Sequence, residues 1–289
     1  MCRFLLYLGA PVILSDLITE PDNSLIHQSF QSQERDEPLN GDGFGVAWYE
    51  PRLSPQPGLF RSVSPAWSNQ NLRHLARITE SPCVLAHVRA ASDGLHVAEA
   101  NCHPFVAGPF AFMHNGDLAG FQSQRRALIA RLSDRAYNLI EGSTDSEFLF
   151  AYLLDVWQRL ADVADRADRL CQALSTTIAE VVALTCAHSD EPSYLNIAVT
   201  DGQHAAVSRY TTQQQAVAET LHLHTGKVYR CVDGVCRLYT PESHAGAVIV
   251  SSEKLSDDPG WSMVPTNHLV LVQPDRSVQL RTLPAPAHA

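Results

Sequence analysis

Asp145-Ser-Glu-Phe-Leu-Phe-Ala-Tyr-Leu-Leu-Asp-Val-Trp-Gln-Arg-Leu160 decides the fold class of this chain. Phe148, Leu149, Tyr152, Leu153, Val156, Trp157 and Leu160 recur at three- and four-residue spacing, which gives a helix one apolar face. A second helix is predicted over 163–186, with Leu170, Leu174, Ile178, Val181, Val182 and Thr185 turned inward. Before this pair, buried strands are expected over 3–8, broken by Gly9-Ala10-Pro11, over 44–49, and over 83–89 and 110–114, with a short helix over 71–78. A loop over 20–42 ends in Asn40-Gly41-Asp42-Gly43, and Pro51, Pro55, Pro57 and Gly58 mark another. After the helices, strands resume over 195–200, 205–210, 221–224, 247–250 and 269–272. Strands, two long helices, then strands is neither the regular alternation of a doubly wound parallel sheet nor an all-β pattern. No Ser/Gly linker divides the chain, so one domain over 1–282 is expected, with 283–289 a frayed tail.

Composition narrows the function. The 289 residues carry 21 Lys and Arg against 31 Asp and Glu, a formal charge of −10, with no basic run. That balance argues against a general nucleic-acid or anionic-membrane binder. At 45% hydrophobic and 18% charged residues the chain is globular in composition. Its apolar runs fall short of the roughly 18 to 20 residues that span a bilayer. Cys2, Cys83, Cys102, Cys171, Cys186, Cys231 and Cys236 are too sparse for a disulfide scaffold, and the cytoplasm is the expected compartment. The apolar segment 4–14 is interrupted by Gly9, Ala10 and Pro11 and lacks a small-x-small cleavage site, unlike a signal peptide.

Several clusters carry chemistry. Cys2 follows Met1, and its small side chain favours removal of that methionine. The exposed cysteine then holds a thiol nucleophile and, in an α-amine of ordinary pKa ~7.7 to 8.0, a proton acceptor. His87-Val-Arg89-Ala-Ala-Ser92 offers a guanidinium able to grip a carboxylate at two points, or to make a structural ion pair. Met113-His114-Asn115-Gly116-Asp117 fits a hairpin turn and equally a side-chain amide and backbone N–H converging on an oxyanion. Ser143-Thr144-Asp145-Ser146-Glu147 opens the long helix, where Thr144 and Glu147 fit a capping box. Asp145 there either complements the helix dipole or accepts a substrate ammonium group.

In this order, these residues resemble the class II glutamine amidotransferases of the N-terminal-nucleophile hydrolase superfamily. The matching pieces are Met1-Cys2-Arg3-Phe4, Asn40-Gly41-Asp42-Gly43-Phe44-Gly45, the 87–92 segment, Asn101-Cys102-His103-Pro104-Phe105, His114-Asn115-Gly116-Asp117, Ser143-Thr144-Asp145-Ser146-Glu147 and Val250-Ser-Ser-Glu-Lys-Leu255. They span nearly the whole chain. Met1-Cys-Arg-Phe-Leu-Leu6, Ile26-His-Gln-Ser-Phe30 and Leu39-Asn-Gly-Asp-Gly-Phe-Gly-Val46 are similar to a narrower branch that cuts γ-glutamyl amides without a synthase domain. That branch includes the amidotransferase-like subunit of glutathione degradation and the γ-glutamyl hydrolase of ergothioneine biosynthesis.

The resemblance implies an α+β fold, a four-layer αββα sandwich of two antiparallel sheets. It implies Cys2 as nucleophile, Asn115 and Gly116 as oxyanion hole, Arg89 on the substrate α-carboxylate and Asp145 on its α-ammonium. Ser92 and His103 would shape the pocket, and no metal or organic cofactor is expected. Partners are a small γ-glutamyl substrate and a peptidase or synthase subunit. Ala90-Ala91-Ser92 departs from the Trp-Ala-Thr of many glutamine-using members, which leaves room for a bulkier leaving group. His222-Leu-His224 with Cys231 and Cys236 raises a metal alternative, although alternation on a strand explains the histidines and Cys-x4-Cys is a poor zinc spacing. His103 as a packed core histidine, and the whole chain as a non-catalytic binding subunit, are the remaining alternatives.

Overall fold

A computed structural model describes residues 2–34, 39–91, 96–213, 218–232, 235–239 and 246–284, with backbone alone for 187, 227–232 and 235–239. In chain order the elements begin with β1 (Arg3–Ile13), α1 (Ser15–Ile18), α2 (Leu25–Gln28), β2 (Phe44–Trp48), β3 (Gly58–Ser62), α3 (Gln70–Ala76) and β4 (Glu80–Val88). There follow β5 (Phe105–Ala107), β6 (Phe110–Asp117), α4 (Phe121–Ile129), α5 (Asp134–Tyr137), α6 (Asp145–Arg159) and α7 (Arg166–Thr185). The chain closes with β7 (Tyr194–Thr200), β8 (Ala205–Arg209), β9 (His222–Val232), β10 (Val235–Tyr239), β11 (Ala247–Ser251), β12 (Ser262–Met263), β13 (His268–Val272) and β14 (Val278–Thr282).

Among the described residues the strands form two antiparallel sheets. One runs β10-β9-β11-β1-β4-β2-β3, with β12 also on β9; the other runs β14-β13-β8-β7-β6-β5. Strand alternation then sorts every side chain into one of three apolar layers. Phe4, Leu6 and Leu8 of β1 meet Cys83 and Leu85 of β4, Ala111 and Met113 of β6 and Ala198 of β7 between the sheets. Leu5, Tyr7, Val84 and Ala86 point the other way, onto α1, α2 and α3 through Leu17, Leu25 and Leu72. Phe112, Leu195, Ile197 and Val199 cover the opposite face beneath Phe148, Leu149, Leu153, Leu174 and Ile178 of α6 and α7. The architecture is the αββα sandwich. It also explains why β1 is apolar without interruption from Phe4 to Leu8: helices cover one face and a second sheet the other, and each fully buried Leu or Phe contributes about 1.5 to 3 kcal/mol.

Some expected boundaries shift. β1 continues through Gly9-Ala10-Pro11 to Ile13, with a register irregularity between Leu8 and Val12 that admits a residue without an N–H. α1 and α2 are four residues each, too short to show a period, and α2 lies inside the expected loop. The second long helix starts at Arg166 because Asp165 caps it, its side chain accepting from Asp168 N–H. Thr144 caps α6 by accepting from Glu147 N–H at 3.2 Å. The capping box is half formed, since the Glu147 carboxylate accepts instead from the N–H groups of Glu141 and Gly142, both at 2.7 Å. At the C-terminal end Leu283 is buried and donates its N–H to Asn267 O at 2.7 Å; residues 285–289 lie outside the described ones.

Candidate active site

The register brings the sequence clusters together at one end of the sandwich. Arg3 pairs with Val88 and Phe4 with His87, so the residues next outward, Cys2 and Arg89, lie side by side. Alternation carried past Leu6 and Phe4 aims Cys2 between the sheets, as it does Arg89 past Leu85 and His87. The Cys2 thiol, half-buried, donates to Ala90 O at 3.6 Å. On its other edge Arg89 continues the ladder to β2, its N–H donating to Gly43 O at 2.8 Å while Asp42 N–H donates to Arg89 O at 3.0 Å. The Asp42 carboxylate accepts from Ala91 N–H at 2.8 Å, so Asn40-Gly41-Asp42-Gly43 walls this end of the sheet. Gly43 is at φ +115°, and a Cβ there would lie 2.6 Å from Cys102 Sγ, so a side chain is excluded.

Arg89 is the electrostatic centre of this arrangement. Only 3% exposed, it makes no ion pair among the described residues, and its Nη1 donates to Asp42 O at 3.4 Å. No carboxylate of the described residues therefore accounts for it as a structural ion pair. A buried guanidinium without a carboxylate is costly, which makes it a ready receptor for an anionic group.

The second sheet supplies the opposing wall. β6 packs directly on β1 and β4. His87 Nε2 donates to His114 O at 3.3 Å, fastening the peptide that leads into Asn115. Asn115 follows Ala111 and Met113 on the inter-sheet face; its side chain is fully buried, and neither its nitrogen nor its oxygen has a hydrogen-bond partner among the described residues. Gly116 sits at φ +152°, and a Cβ on it would fall 1.7 Å from Tyr194 O, so this close pairing with β7 requires glycine. His114 points to the helical face, where Nε2 donates to Tyr194 O at 3.0 Å and Nδ1 accepts from Ser146 Oγ at 2.9 Å.

Asp145 sits in the first turn of α6 and reaches the end of β6. Its two oxygens accept from Leu118 N–H at 2.8 Å and Ser146 N–H at 2.7 Å. Loss of surrounding water, together with the charge on Asp145, pushes the Asp117 carboxyl above its usual range. Two carboxyl groups thus share the site rim, which makes it attractive to a cation. Asp117 stands in the sequence motif, yet its proximity to Asp145 escapes a sequence reading because it depends on how β6 meets α6.

His103 is 3% exposed and packed on His87 with ring centroids 4.2 Å apart, and against Phe105 at 4.5 Å. Burial holds His103 well below the ordinary imidazole value and His87 down at about 3, so both are neutral. His103 is therefore a neutral histidine packed between His87 and Phe105. Ser92 lies outside the described residues.

Behind Cys2, Arg3 is fully buried and ties the start of β1 in place. It donates from Nη1 to Cys2 O at 3.0 Å and from Nε to Glu253 Oε1 at 2.9 Å. Burial alone would raise the Glu253 pKa, but the Ser32 hydroxyl, the Gln33 N–H and Arg3 together hold it below the usual range. Glu253 belongs to the quoted Ser-Ser-Glu segment, but its partner lies 250 positions away. Of the metal alternative, His222 pairs with Glu34 at 2.9 Å and His224 with Asp258 at 3.1 Å, while the side chains of Cys231 and Cys236 lie outside the described residues. Clefts of about 640 and 350 Å³ on the outer face of α5 and α6 contain none of the residues at the Cys2 end.

Residues 15–288 match the family of class-II glutamine amidotransferases. The chain belongs to that family. It is 41% identical to the probable glutamine amidotransferase DUG3 of Saccharomyces cerevisiae, over 94% of this chain and 82% of that protein. It is 28% identical to the gamma-glutamyl-hercynylcysteine sulfoxide hydrolase of Mycolicibacterium smegmatis, over 94% of this chain and 96% of that one. Among solved structures, a glutamine aminotransferase class-II domain protein from Silicibacter pomeroyi superposes with a TM-score of 0.66 at 29% identity, covering 98% of this chain and all of that one. The glutamine phosphoribosylpyrophosphate amidotransferase of B. subtilis shares the fold at 14% identity, with a TM-score of 0.59, covering 98% of this chain and 49% of that one. No helix among the described residues is long and apolar enough to cross a membrane.

Proposed function

We propose that the protein hydrolyses a γ-glutamyl amide through a γ-glutamyl thioester on Cys2. The observation that carries this is Arg89, a buried cation with no carboxylate partner among the described residues, beside a thiol and across the sandwich from a buried amide that has no partner among them either. A free γ-glutamyl end bears one carboxylate and one ammonium on its α-carbon, with the scissile carbonyl a side chain away. Arg89 takes the carboxylate at two points. Asp145, supported by Asp117, takes the ammonium. Ser92 and His103 complete the pocket, the latter from behind.

With Met1 removed, the α-amine of Cys2 accepts the thiol proton as sulfur attacks the γ-carbonyl carbon. The carbonyl oxygen gains the charge, and the Asn115 side chain with the Gly116 N–H stabilises it. Collapse of this intermediate breaks the C–N bond, and the departing nitrogen takes its proton from the α-ammonium. Water then adds to the thioester carbon, its proton passing to the α-amine, and glutamate leaves with the thiol restored. Side chains, the Gly116 N–H and the α-amine carry every step, and residues 1–282 form the one amidotransferase domain.

The departing amine is either ammonia or a γ-glutamyl conjugate's amine, for which the small Ala90-Ala91 leaves space. A partner peptidase or synthase that consumes the product, and a cytoplasmic setting, belong to the same proposal. The test is glutamate release from glutamine, glutathione and other γ-glutamyl compounds by the wild type and by Cys2→Ala, with the mature N-terminus read by mass spectrometry. Release that vanishes in the variant supports the proposal. Silence toward every donor by a protein that begins at Cys2, with tight binding to a peptidase or synthase, replaces it with a non-catalytic subunit.

A further inference from the structure

Asn196 is buried opposite the oxyanion residue. In the β6–β7 ladder Asn115 pairs with Asn196, and the next pair on the same face, Met113 and Ala198, lies in the inter-sheet core. Both asparagine side chains therefore face the site from directly opposed positions, with Cβ atoms about 4.5 to 5.5 Å apart. Asn196 is 1% exposed. Its amide orientation is set from behind, because Nδ2 donates to the carbonyls of Glu219 at 3.1 Å and Thr220 at 3.4 Å, groups that only accept. That crossing segment is itself held by Arg209, which donates to Ala218 O, Glu219 O and Val264 O at 2.7–3.0 Å, and by Thr220, whose hydroxyl donates to Ser252 O at 2.9 Å. Asn196 Oδ1 is consequently turned away from the segment, and it is buried without a partner among the described residues, as are both polar atoms of Asn115.

We propose that Asn196 is a positioning residue for the oxyanion hole: its Oδ1 accepts one hydrogen of Asn115 Nδ2, which leaves the other to meet the developing oxyanion. A carboxamide presents either its nitrogen or its oxygen after a half-turn about its last bond. With the oxygen forward it would repel the oxyanion. The acceptor on Asn196 decides between the two, since it makes the nitrogen-forward arrangement the one that satisfies a buried atom on each side. The contact closes by rotation of the Asn115 amide, with the backbone ladder unchanged.

This rests on the proposed γ-glutamyl hydrolysis, and a double-mutant cycle tests it separately. Wild type, Asn115→Ala, Asn196→Ala and the double variant are compared on whichever of glutamine, glutathione and γ-glutamyl-p-nitroanilide the wild type turns over fastest. Asn196→Ala is expected to lower kcat about 10- to 30-fold, a part of the roughly 10²- to 10³-fold carried by one oxyanion donor, with KM changed less than about twofold. In the Asn115→Ala background the same substitution should cost less than about twofold, because the group it orients is gone. An equal kcat loss in both backgrounds, or no loss in either, overturns the positioning role while the hydrolase stands. A wild type inert toward all three donors overturns the proposed function and the positioning role with it. If Asn196→Ala is not folded by circular dichroism, Asn196→Ser, whose oxygen stops one bond short of Asn115, takes its place under the same criteria.

Discussion

His87 and His114 join the two sheets at the Cys2 end: the imidazole N–H of the first donates to the carbonyl of the second across 3.3 Å. Because His87 is paired with Phe4 on one side and Asn115 follows His114 on the other, this bond spaces the strand that begins at Cys2 from the strand that carries Asn115. His103 stacks beneath it. His87→Ala removes the bond and opens a hole beside His103, and is expected to cost about 2 to 4 kcal/mol of stability. It should lower kcat about 10- to 100-fold with a smaller change in KM, since misplacement weakens the transition state most. Urea unfolding and steady-state kinetics check both, and an unchanged kcat would show that the spacing is held elsewhere.

The same pair sets a pH dependence. Burial holds the folded-state value of His87 at about 3, and that of His103 well below ordinary imidazole. The unfolded chain takes up these protons as pH falls below about 6.5, while the folded protein refuses them. Their contribution to stability is therefore complete above that pH and is lost as pH falls from there toward 3. Each costs up to about 1.4 kcal/mol per pH unit within its window. Melting curves between pH 7 and 5 should show the decline, and His87→Gln/His103→Gln should flatten it. An equal slope in the double variant would assign the decline to other groups.

Arg89 and Asn115 should separate kinetically. Loss of a charge-assisted contact to the α-carboxylate weakens ground and transition states alike, so Arg89→Ala should raise KM about 10- to 100-fold. Asn115 meets charge that develops only during reaction, so Asn115→Ala should lower kcat about 10²- to 10³-fold with little effect on KM. Arg89→Lys should recover little, because an ammonium cannot reproduce a planar two-point contact. Michaelis–Menten analysis on one donor suffices, and the opposite pattern undoes both assignments.

Glu253 and Arg3 form a buried pair, at 2.9 Å, that also grips the carbonyl of Cys2. Glu253→Gln leaves the buried Arg3 charge with Glu219, at 3.5 Å, as its ion-pair partner among the described residues. The expected cost is about 3 to 5 kcal/mol, seen as a lower midpoint in urea at pH 7. Because Glu253 titrates below its ordinary range, its stabilisation is present above the unfolded value, near pH 4.3, and fades as pH falls. The gap between wild type and variant should therefore narrow in acid, and a gap that widens would reverse the assignment.

The residues of the candidate site were legible in the chain because they sit at the ends of regular elements. Arg89 closes an apolar run, Asn115 and Gly116 close another, and Asp145 opens a helix with a visible apolar face. Glu147 shows the boundary of such reading, since the capping spacing is correct but its carboxylate binds Glu141 and Gly142 instead. α1 and α2 escaped because four residues are too few for a period to emerge. The strand through Pro11 escaped because the register irregularity that tolerates it depends on the neighbouring strand.

By itself the sequence determined the element types, the single cysteine at the head of an apolar strand and the motifs that mark the family, because period, chirality and turn chemistry act over a few residues. Tertiary structure alone decided that Arg89 has no ion-pair partner among the described residues, that Arg3 reaches Glu253 and that Asn196 faces Asn115. Each of these depends on strand register and on which side chains share a buried face, quantities fixed by pairing between distant segments. A one-residue slip of β6 against β7 would leave the sequence as legible as before and would turn the Asn115 amide away from the nucleophile.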